Sequence, residues 1–438
     1  MRIIQLTPGT GNFYCGSCLH DNALVRALRA RGHDALMVPL YLPFVVEDPA
    51  LAAQTPIFLG GLSVYLAQKF PGLRRVPAWL NRLFSAPALL RQLARLAGMT
   101  SARDLGESTL SMLRGEHGRQ AGELDRLVEW LRPLPPPDVI CLSNSLLAGM
   151  ARRLKEEFRC PVVCTLQGEA AFLDDLAEPY RQPAWDLLAQ RAGDVDHFIA
   201  VSGYFGDLMR SRLHLDAARV TVIHPGIAVE NFAPAAAAPA APTIGFLARM
   251  HPTKGLATLV DAFLLLQKEN AVPGLRLRIA GAQTGSDEPF VKALALKIAG
   301  HGQQAAVDWL PNLDRTAKAD FLRSLSVFSV PATYGEAFGL YVLEAQAAGL
   351  PVVQPRHGAF PEVLGMTGGG VVCAPDDPAA LAAELRTLLL APAHARQLGA
   401  TGRAAVLADF TIEVMAQKTE AVLQSVCNHS PSTISHSP

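Results

Sequence analysis

The sequence has no surplus of charge of either sign. Lys plus Arg and Asp plus Glu each total 39, so the formal net charge is zero. A protein that gripped nucleic acid along its surface would need a basic excess, and a general nucleic-acid binder is therefore excluded as the expected class. No run of 18 or more apolar residues is free of charge and proline, so no transmembrane helix is expected. The opening MRIIQLTPG has a single basic residue, and Gln5 interrupts its apolar run; it reads as a first strand rather than a signal peptide. Cysteine is scarce and odd in number, at seven. Cys141, Cys160 and Cys164 lie in or near apolar strand-like segments and read as small buried thiols. Cys15 and Cys18 form CGSC in a Gly-rich turn, but no second Cys/His pair stands at zinc spacing. A structural role in the loop is the leading reading there, with metal binding and redox chemistry as alternatives. A reduced, cytoplasmic protein without a resident metal or cofactor is the expectation. What the chain has in quantity is apolar residues, half of 438, enough for two domains.

Strand-like and helix-like segments alternate along the chain. RIIQLT is followed by LHDNALVRALRARG, where Leu19, Ala23, Leu24, Ala27 and Leu28 fall at helical spacing and Gly32 stops the run. ALMVPLY, DVICLS, PVVCTLQG, HFIAVS and VTVIHPG repeat the strand signal between helical stretches, and TIGFLARM, LRLRIAG, AVDWL, VFSVPAT and LPVVQP do so later. Strands separated by helices pair in parallel with helices on both faces. The expected fold class is α/β, with two Rossmann-like doubly wound domains facing a cleft. Residues 1–233 form the first domain, with a helical insertion at about 43–135, and PAAAAPAAP at 234–242 reads as a linker. Residues 243–411 form the second domain, 412–426 a last helix that crosses back to the first, and 427–438 a disordered tail. Within the insertion, residues 69–103 hold Lys69, Arg74, Arg75, Arg82, Arg91, Arg95 and Arg103 and no acidic residue. Such an amphipathic basic segment reads as a helical lid or as a surface for an anionic lipid or glycan, with peripheral membrane contact.

In doubly wound sheets ligands bind beyond the carboxyl ends of the strands. Three segments fall at such ends. YGEAFGLYVLEAQAAG, residues 334–349, turns from a strand into a helix at Gly339. Backbone N–H groups at Gly339 and Leu340, with the positive end of the helix dipole behind them, suit a phosphate. Gly339 is expected to permit close approach of the ligand to the backbone. Glu344, on the second helical turn, can accept hydrogen bonds from vicinal hydroxyls such as those of a ribose, and Glu336 can face the reacting sugar. IGFLARMHPTKG, residues 244–255, places Arg249 and Lys254 in a second loop, two cations that match a diphosphate. TPGTGNFYCGSC places Gly9, Gly11 and Gly16 between the first strand and helix, a supporting signal only, because it is not G-x-G-x-x-G.

Taken together, RGHDALMV, IGFLARMHPTKG, YGEAFGLYVLEAQAAGLPVV and HGAFPEVL resemble the retaining nucleotide-sugar glycosyltransferases of the GT-B fold. The similarity is to the large group containing mannosyltransferases and sucrose synthase relatives. It is dense from about 243 to 390 and looser before that, and the insertion has no counterpart. The resemblance implies that Arg249 and Lys254 hold the donor diphosphate, that Glu336 is the first glutamate of the family's E-x7-E motif, beside the donor sugar, and that Glu344 is the second, on the ribose. The Gly339 and Leu340 amides would meet the distal phosphate. It implies a UDP- or GDP-sugar as co-substrate, a sugar, lipid or small-molecule hydroxyl as acceptor, and no divalent metal, in keeping with the lack of a convincing Asp-x-Asp or histidine cluster.

One departure is visible. Many relatives place a histidine after the strand that here reads PVVCTLQGEAAF; this chain has Gln167, Gly168 and Glu169. Gln can bond a hydroxyl but cannot act as a base. Gln167, Glu169 and His20 are the candidates for sugar or acceptor contact, with Asp21 beside His20. Sugar-nucleotide epimerases and phosphorylases on the same fold, and a scaffold without activity, are the rival readings.

Overall fold

The structure, a computed structural model, describes residues 1–8, 16–40 and 102–429. Lys69 to Arg95 of the basic segment, Gly9, Gly11 and Cys15 lie outside the described residues, as do the side chains of Cys18 and Arg103, and Gly16 begins the helix Gly16–Ala30.

Among the described residues the chain builds two six-stranded sheets, each wholly parallel. The first contains β1 (Arg2–Thr7), β2 (Asp34–Pro39), β3 (Val139–Leu142), β4 (Val162–Leu166), β5 (His197–Ala200) and β6 (Val220–Val222), in the order β2-β1-β3-β4-β5-β6. The second contains β7 (Thr243–Leu247), β8 (Arg276–Gly281), β9 (Val307–Pro311), β10 (Val327–Phe328), β11 (Val352–Pro355) and β12 (Gly370–Cys373), in the order β12-β11-β10-β7-β8-β9. The short apolar runs become central strands because helices cover both faces. Every residue of β3, β4 and β7 is buried, and a fully buried side chain such as Phe246 gives roughly 2–3 kcal/mol of transfer free energy.

Both orders contain a reversal. In the first sheet the chain steps from β1 outward to β2 and returns to the other side of β1 as β3. In the second it runs β7, β8, β9 and returns to the other side of β7 as β10. At such a switch point the connections leave on opposite faces, and the loops after the two central strands diverge to form a crevice.

Residue contacts divide the chain into Met1–Ile223 with the segment from Met415 on, and His224–Val414. The break thus falls before the expected linker at 234–242, which lies inside the second unit. Ordinary pairing explains the shift. Ile227 N donates to Phe410 O at 2.9 Å, Arg403 Nη1 donates to Phe232 O at 2.8 Å, and Ile227 and Phe232 are buried.

The last helix runs Ile412–His429, three residues beyond the expected end at 426. Its Met415, Thr419 and Leu423 form a buried stripe, and the first residue in sequence that opposes continuation is Pro431. Glu420 on this helix meets Arg31 Nε at 2.6 Å and His33 Nε2 at 3.0 Å, both from the first unit. Of the expected helical insertion, Ala102–Leu113 and Ala121–Leu131 are helices. Leu124, Leu127, Val128 and Leu131 give the second its buried face. None of the helices among the described residues is long and apolar enough to cross a membrane.

Candidate functional site

The switch point of the second sheet brings two loops together. After β7 the chain passes Arg249 and makes a short 3-10 turn, Pro252–Lys254, before a helix begins at Leu256. After β10 it passes Tyr334 and Glu336 before the helix Leu340–Ala347. Thr333 N donates to Thr253 O at 2.9 Å, which joins the loops directly. Gly255 makes the junction possible. Its φ is +72°, and a Cβ there would lie 1.6 Å from the Pro331 carbonyl oxygen. Gly255→Ala is therefore expected to destabilise the protein by about 2–4 kcal/mol, from strain and overpacking combined, as read from a urea melt.

The result of that junction is a hub on Glu336. Lys254 Nζ lies 2.5 Å from Glu336 Oε2, and Tyr334 and Tyr341 each donate a phenol hydrogen to the same oxygen at 2.9 Å. Lys254 also bonds the Tyr334 hydroxyl, and its ammonium stands over the Tyr334 ring at 4.8 Å and the Tyr341 ring at 5.7 Å. The Glu336 side chain is 13% exposed and that of Lys254 21%, so the pair is poorly screened by water. Burial, followed by the neighbouring Glu336 charge, pushes both phenols well above their ordinary range, so both remain donors. Ala359 N donates to Glu336 O at 2.9 Å, and His357 Nε2 donates to Ala332 O at 2.7 Å, so the loop after β11 supports this turn from below.

Among the described residues Arg249 and Lys254 have separate partners. Arg249 is held in a two-pronged pair with Asp287, Nε to Oδ2 at 3.2 Å and Nη2 to Oδ1 at 3.1 Å. Burial tends to raise the Asp287 pKa, but hydrogen bonds from Thr284 and Arg249 outweigh it and hold the carboxyl below the usual range. The guanidinium is thereby fixed while the arginine side chain stays half exposed. Glu344 pairs with Lys318 at 2.5 Å, and that lysine also stands 5.4 Å from the Phe232 ring. Gly339 opens the helix Leu340–Ala347 from a left-handed conformation. Its φ is +85°, the left-handed region, and a Cβ would come within 3.0 Å of Phe360 and 3.3 Å of Tyr341. The turn and its packing by themselves favour glycine there. Leu340 begins the helix as expected.

In the first sheet the candidates cluster at the carboxyl ends of β3 and β4. Gln167 Nε2 donates to Asp21 Oδ1 at 3.2 Å and to Ser143 O at 2.7 Å, and His20 Nδ1 donates to Asp21 Oδ1 at 3.1 Å. Glu169 is turned inward: its two oxygens accept from Ser145 N at 2.9 Å and Gln167 N at 2.7 Å. Its structural work is to satisfy two backbone amides where β3 and β4 end. Glu169→Ala is expected to cost about 2–4 kcal/mol of stability, because it leaves both amides unpaired in a buried place; a thermal melt reads this. The Asp21 Oδ2 oxygen and the Ser143 and Ser145 hydroxyls are buried without hydrogen-bond partners among the described residues. Sequence reasoning passed over both serines, Asp287, Tyr334 and Tyr341. Residue type alone gave no signal: Asp287 is marked out by Arg249, 38 positions away, and Tyr334 by Lys254, 80 positions away.

Among the described residues no group of three His, Cys, Asp or Glu side chains could hold a metal. The Asp194-Val195-Asp196 spacing is occupied: Asp194 pairs with Arg152 and Arg191, and Asp196 with Lys155. Cys141, Cys160 and Cys164 are free and buried, and burial pushes their thiols above the usual range, so they are not reactive thiolates.

Residues 230–405 match the family model described as glycosyl transferases group 1, and residues 103–231 match that of glycosyltransferase family 4. The chain is 31% identical over 221 residues to the D-inositol 3-phosphate glycosyltransferase of Mycobacterium avium (strain 104), covering 48% of this chain and 50% of that protein. It is 28% identical over 298 residues to the glycogen synthase of Mycobacterium tuberculosis (strain ATCC 25618 / H37Rv), covering 65% of this chain and 68% of that protein. The match thus spans about half the length of the inositol phosphate relatives. Among solved structures, the sucrose-phosphate synthase of Thermosynechococcus elongatus aligns with a TM-score of 0.72 at 18% identity, over 98% of this chain and 100% of that one. Anabaena HepE in complex with UDP-glucose aligns with a TM-score of 0.67 at 17% identity, over 97% and 100%. At such identities these likenesses show the fold. The family models supply the rest: the chain belongs to the glycosyl transferases of group 1, on the GT-B fold.

Proposed function

We propose that the protein is a retaining glycosyltransferase that moves a sugar, of hexose type, from a UDP or GDP donor to a hydroxyl acceptor. The observation that carries this reading is the convergence of Lys254 and Glu336, from two loops at one switch point, beside the start of the helix Leu340–Ala347. A cation and a carboxylate side by side suit a reaction in which opposite charges develop on neighbouring atoms. As the bond between the anomeric carbon and the diphosphate oxygen breaks, negative charge grows on the diphosphate. Lys254, Arg249 and the amides at Gly339 and Leu340 stabilise it in place of a divalent metal, and Glu344 orders the ribose. Positive charge grows on the sugar, which Glu336 faces. The acceptor oxygen then bonds the anomeric carbon from the same side, and its proton passes to the leaving phosphate oxygen, so no separate base is needed.

On the acceptor side, the reading gives contact to Gln167, whose amide oxygen has no partner among the described contacts, with His20 and Asp21 behind it. The basic sequence at 69–103 supports a lipid or anionic glycan acceptor and peripheral membrane contact of a cytoplasmic enzyme. The relatives' own names, with inositol phosphate in one and glycogen in another, support a hydroxyl acceptor without choosing one.

The test is nucleotide release from a panel of UDP- and GDP-hexoses with hydroxyl acceptors, followed by NMR of the product's anomeric proton. Release coupled to a product of unchanged anomeric configuration supports the reading. An inverted product, an epimerised donor with no transfer, or a phosphate-dependent sugar 1-phosphate product would replace it.

A further inference from the structure

Glu336 gathers more donors than a carboxylate waiting for a sugar requires. Lys254, Tyr334 and Tyr341 all reach one oxygen, Oε2. The three come from separate places: the loop after β7, the loop after β10, and the second residue of the helix that follows. The Tyr341 ring is fixed between Phe328 and Phe360, each with its centroid 6.3 Å away, so the direction of its hydroxyl is set by packing.

Consider what a donor does to this arrangement under the function proposed above, on which the inference rests. A diphosphate carries more negative charge than one carboxylate and competes for the same ammonium. Its arrival draws charge from Lys254 and adds a like charge near Glu336. Both changes favour protonation of a carboxylate largely shut off from water. A neutral Glu336 would no longer oppose positive charge on the sugar. Other charged groups nearby are engaged elsewhere or face solvent. Arg249 is held by Asp287, Glu362 by His224 at 2.8 Å, His357 by the Ala332 carbonyl, and Arg356 is exposed. What remains bonded to Glu336 is the pair of phenols. We propose that Tyr334 and Tyr341 are positioning residues that keep Glu336 ionised and correctly oriented when donor binding draws Lys254 from this carboxylate toward the diphosphate.

The experiment compares the wild type with Tyr334→Phe, Tyr341→Phe and the double variant, each shown by circular dichroism to melt as a folded protein. The pH dependence of kcat reports the donor complex, and that of kcat/KM reports the free enzyme. The acid limb of kcat is expected to rise by about one pH unit for each phenol removed. The limb of kcat/KM should rise less, because Lys254 still holds the carboxylate in the free enzyme. A lowered kcat with an unmoved limb, or equal movement in both profiles, overturns the proposal and leaves the tyrosines as packing. A second readout does not depend on turnover. The Glu336 carboxyl carbon, identified by its loss in Glu336→Gln, is titrated by 13C NMR with and without UDP or GDP. Its pKa should rise in the double variant, and more so with nucleotide bound; no rise in the unliganded protein overturns the proposal even if no sugar is transferred. A wild type that releases nucleotide from no donor, yet shows the expected titration, removes the transferase reading and retains the role of the phenols.

Discussion

Glu336→Gln is expected to lower kcat by about 10²–10³-fold, the range for loss of one preorganised electrostatic group at a reacting centre. The substitution keeps the size of the side chain and can still accept from Tyr334 and Tyr341, so the turn should survive. What disappears is the negative charge. In the resting protein that charge holds Lys254 at 2.5 Å. Without it the ammonium is free for a diphosphate, so affinity for UDP or GDP should hold or tighten while turnover collapses. That split distinguishes loss of chemistry from loss of structure, since a misfolded site would weaken both. Isothermal titration with the nucleoside diphosphate, beside steady-state kcat, measures it. Normal turnover in the glutamine variant would sink the role given to Glu336.

Lys254→Ala is expected to cost about 2–4 kcal/mol of transition-state stabilisation, or roughly 30- to 1,000-fold in kcat/KM. Here both nucleotide affinity and turnover should fall, because the cation serves the bound diphosphate and, more strongly, the departing one. The loss also strips a mostly buried carboxylate of its cation, so part of the cost is the penalty on Glu336. The double variant Lys254→Ala with Glu336→Gln separates the terms. If the two side chains act as one unit, its loss will be smaller than the sum of the singles. Strict additivity would mean that the contact in the resting protein has no bearing on catalysis. Unchanged kcat/KM in Lys254→Ala would reject the lysine's role.

Much of this site was legible before any coordinates because strand ends are a property of chain order. IGFLARMHPTKG must leave its sheet at Leu247, so Arg249 and Lys254 fall in the loop beyond a carboxyl end whatever the neighbouring strands are. The same holds for Glu336, Gly339 and Glu344 after β10. Less legible was what each side chain would touch. Glu169, read as a sugar or acceptor contact, is turned inward onto two backbone amides, and Glu344, read as a ribose contact, pairs with Lys318. The linker at 234–242 was read from composition, which marks weak core-forming power, whereas residue contacts divide the chain between Ile223 and His224.

The sequence by itself determined the alternation of apolar strands with amphipathic helices, hence two parallel sheets and the loops that carry the charged residues. Side-chain periodicity and strand order are local, and one chain suffices to specify them. Only the tertiary structure decided that Lys254 would meet a carboxylate 82 positions away, that two phenols would join it on one oxygen, and that Asp287 would fix Arg249. Hydrogen bonds and ion pairs select partners by distance and direction in space. Those are set by the reversal of strand order between β7 and β10, which no spacing along the chain records.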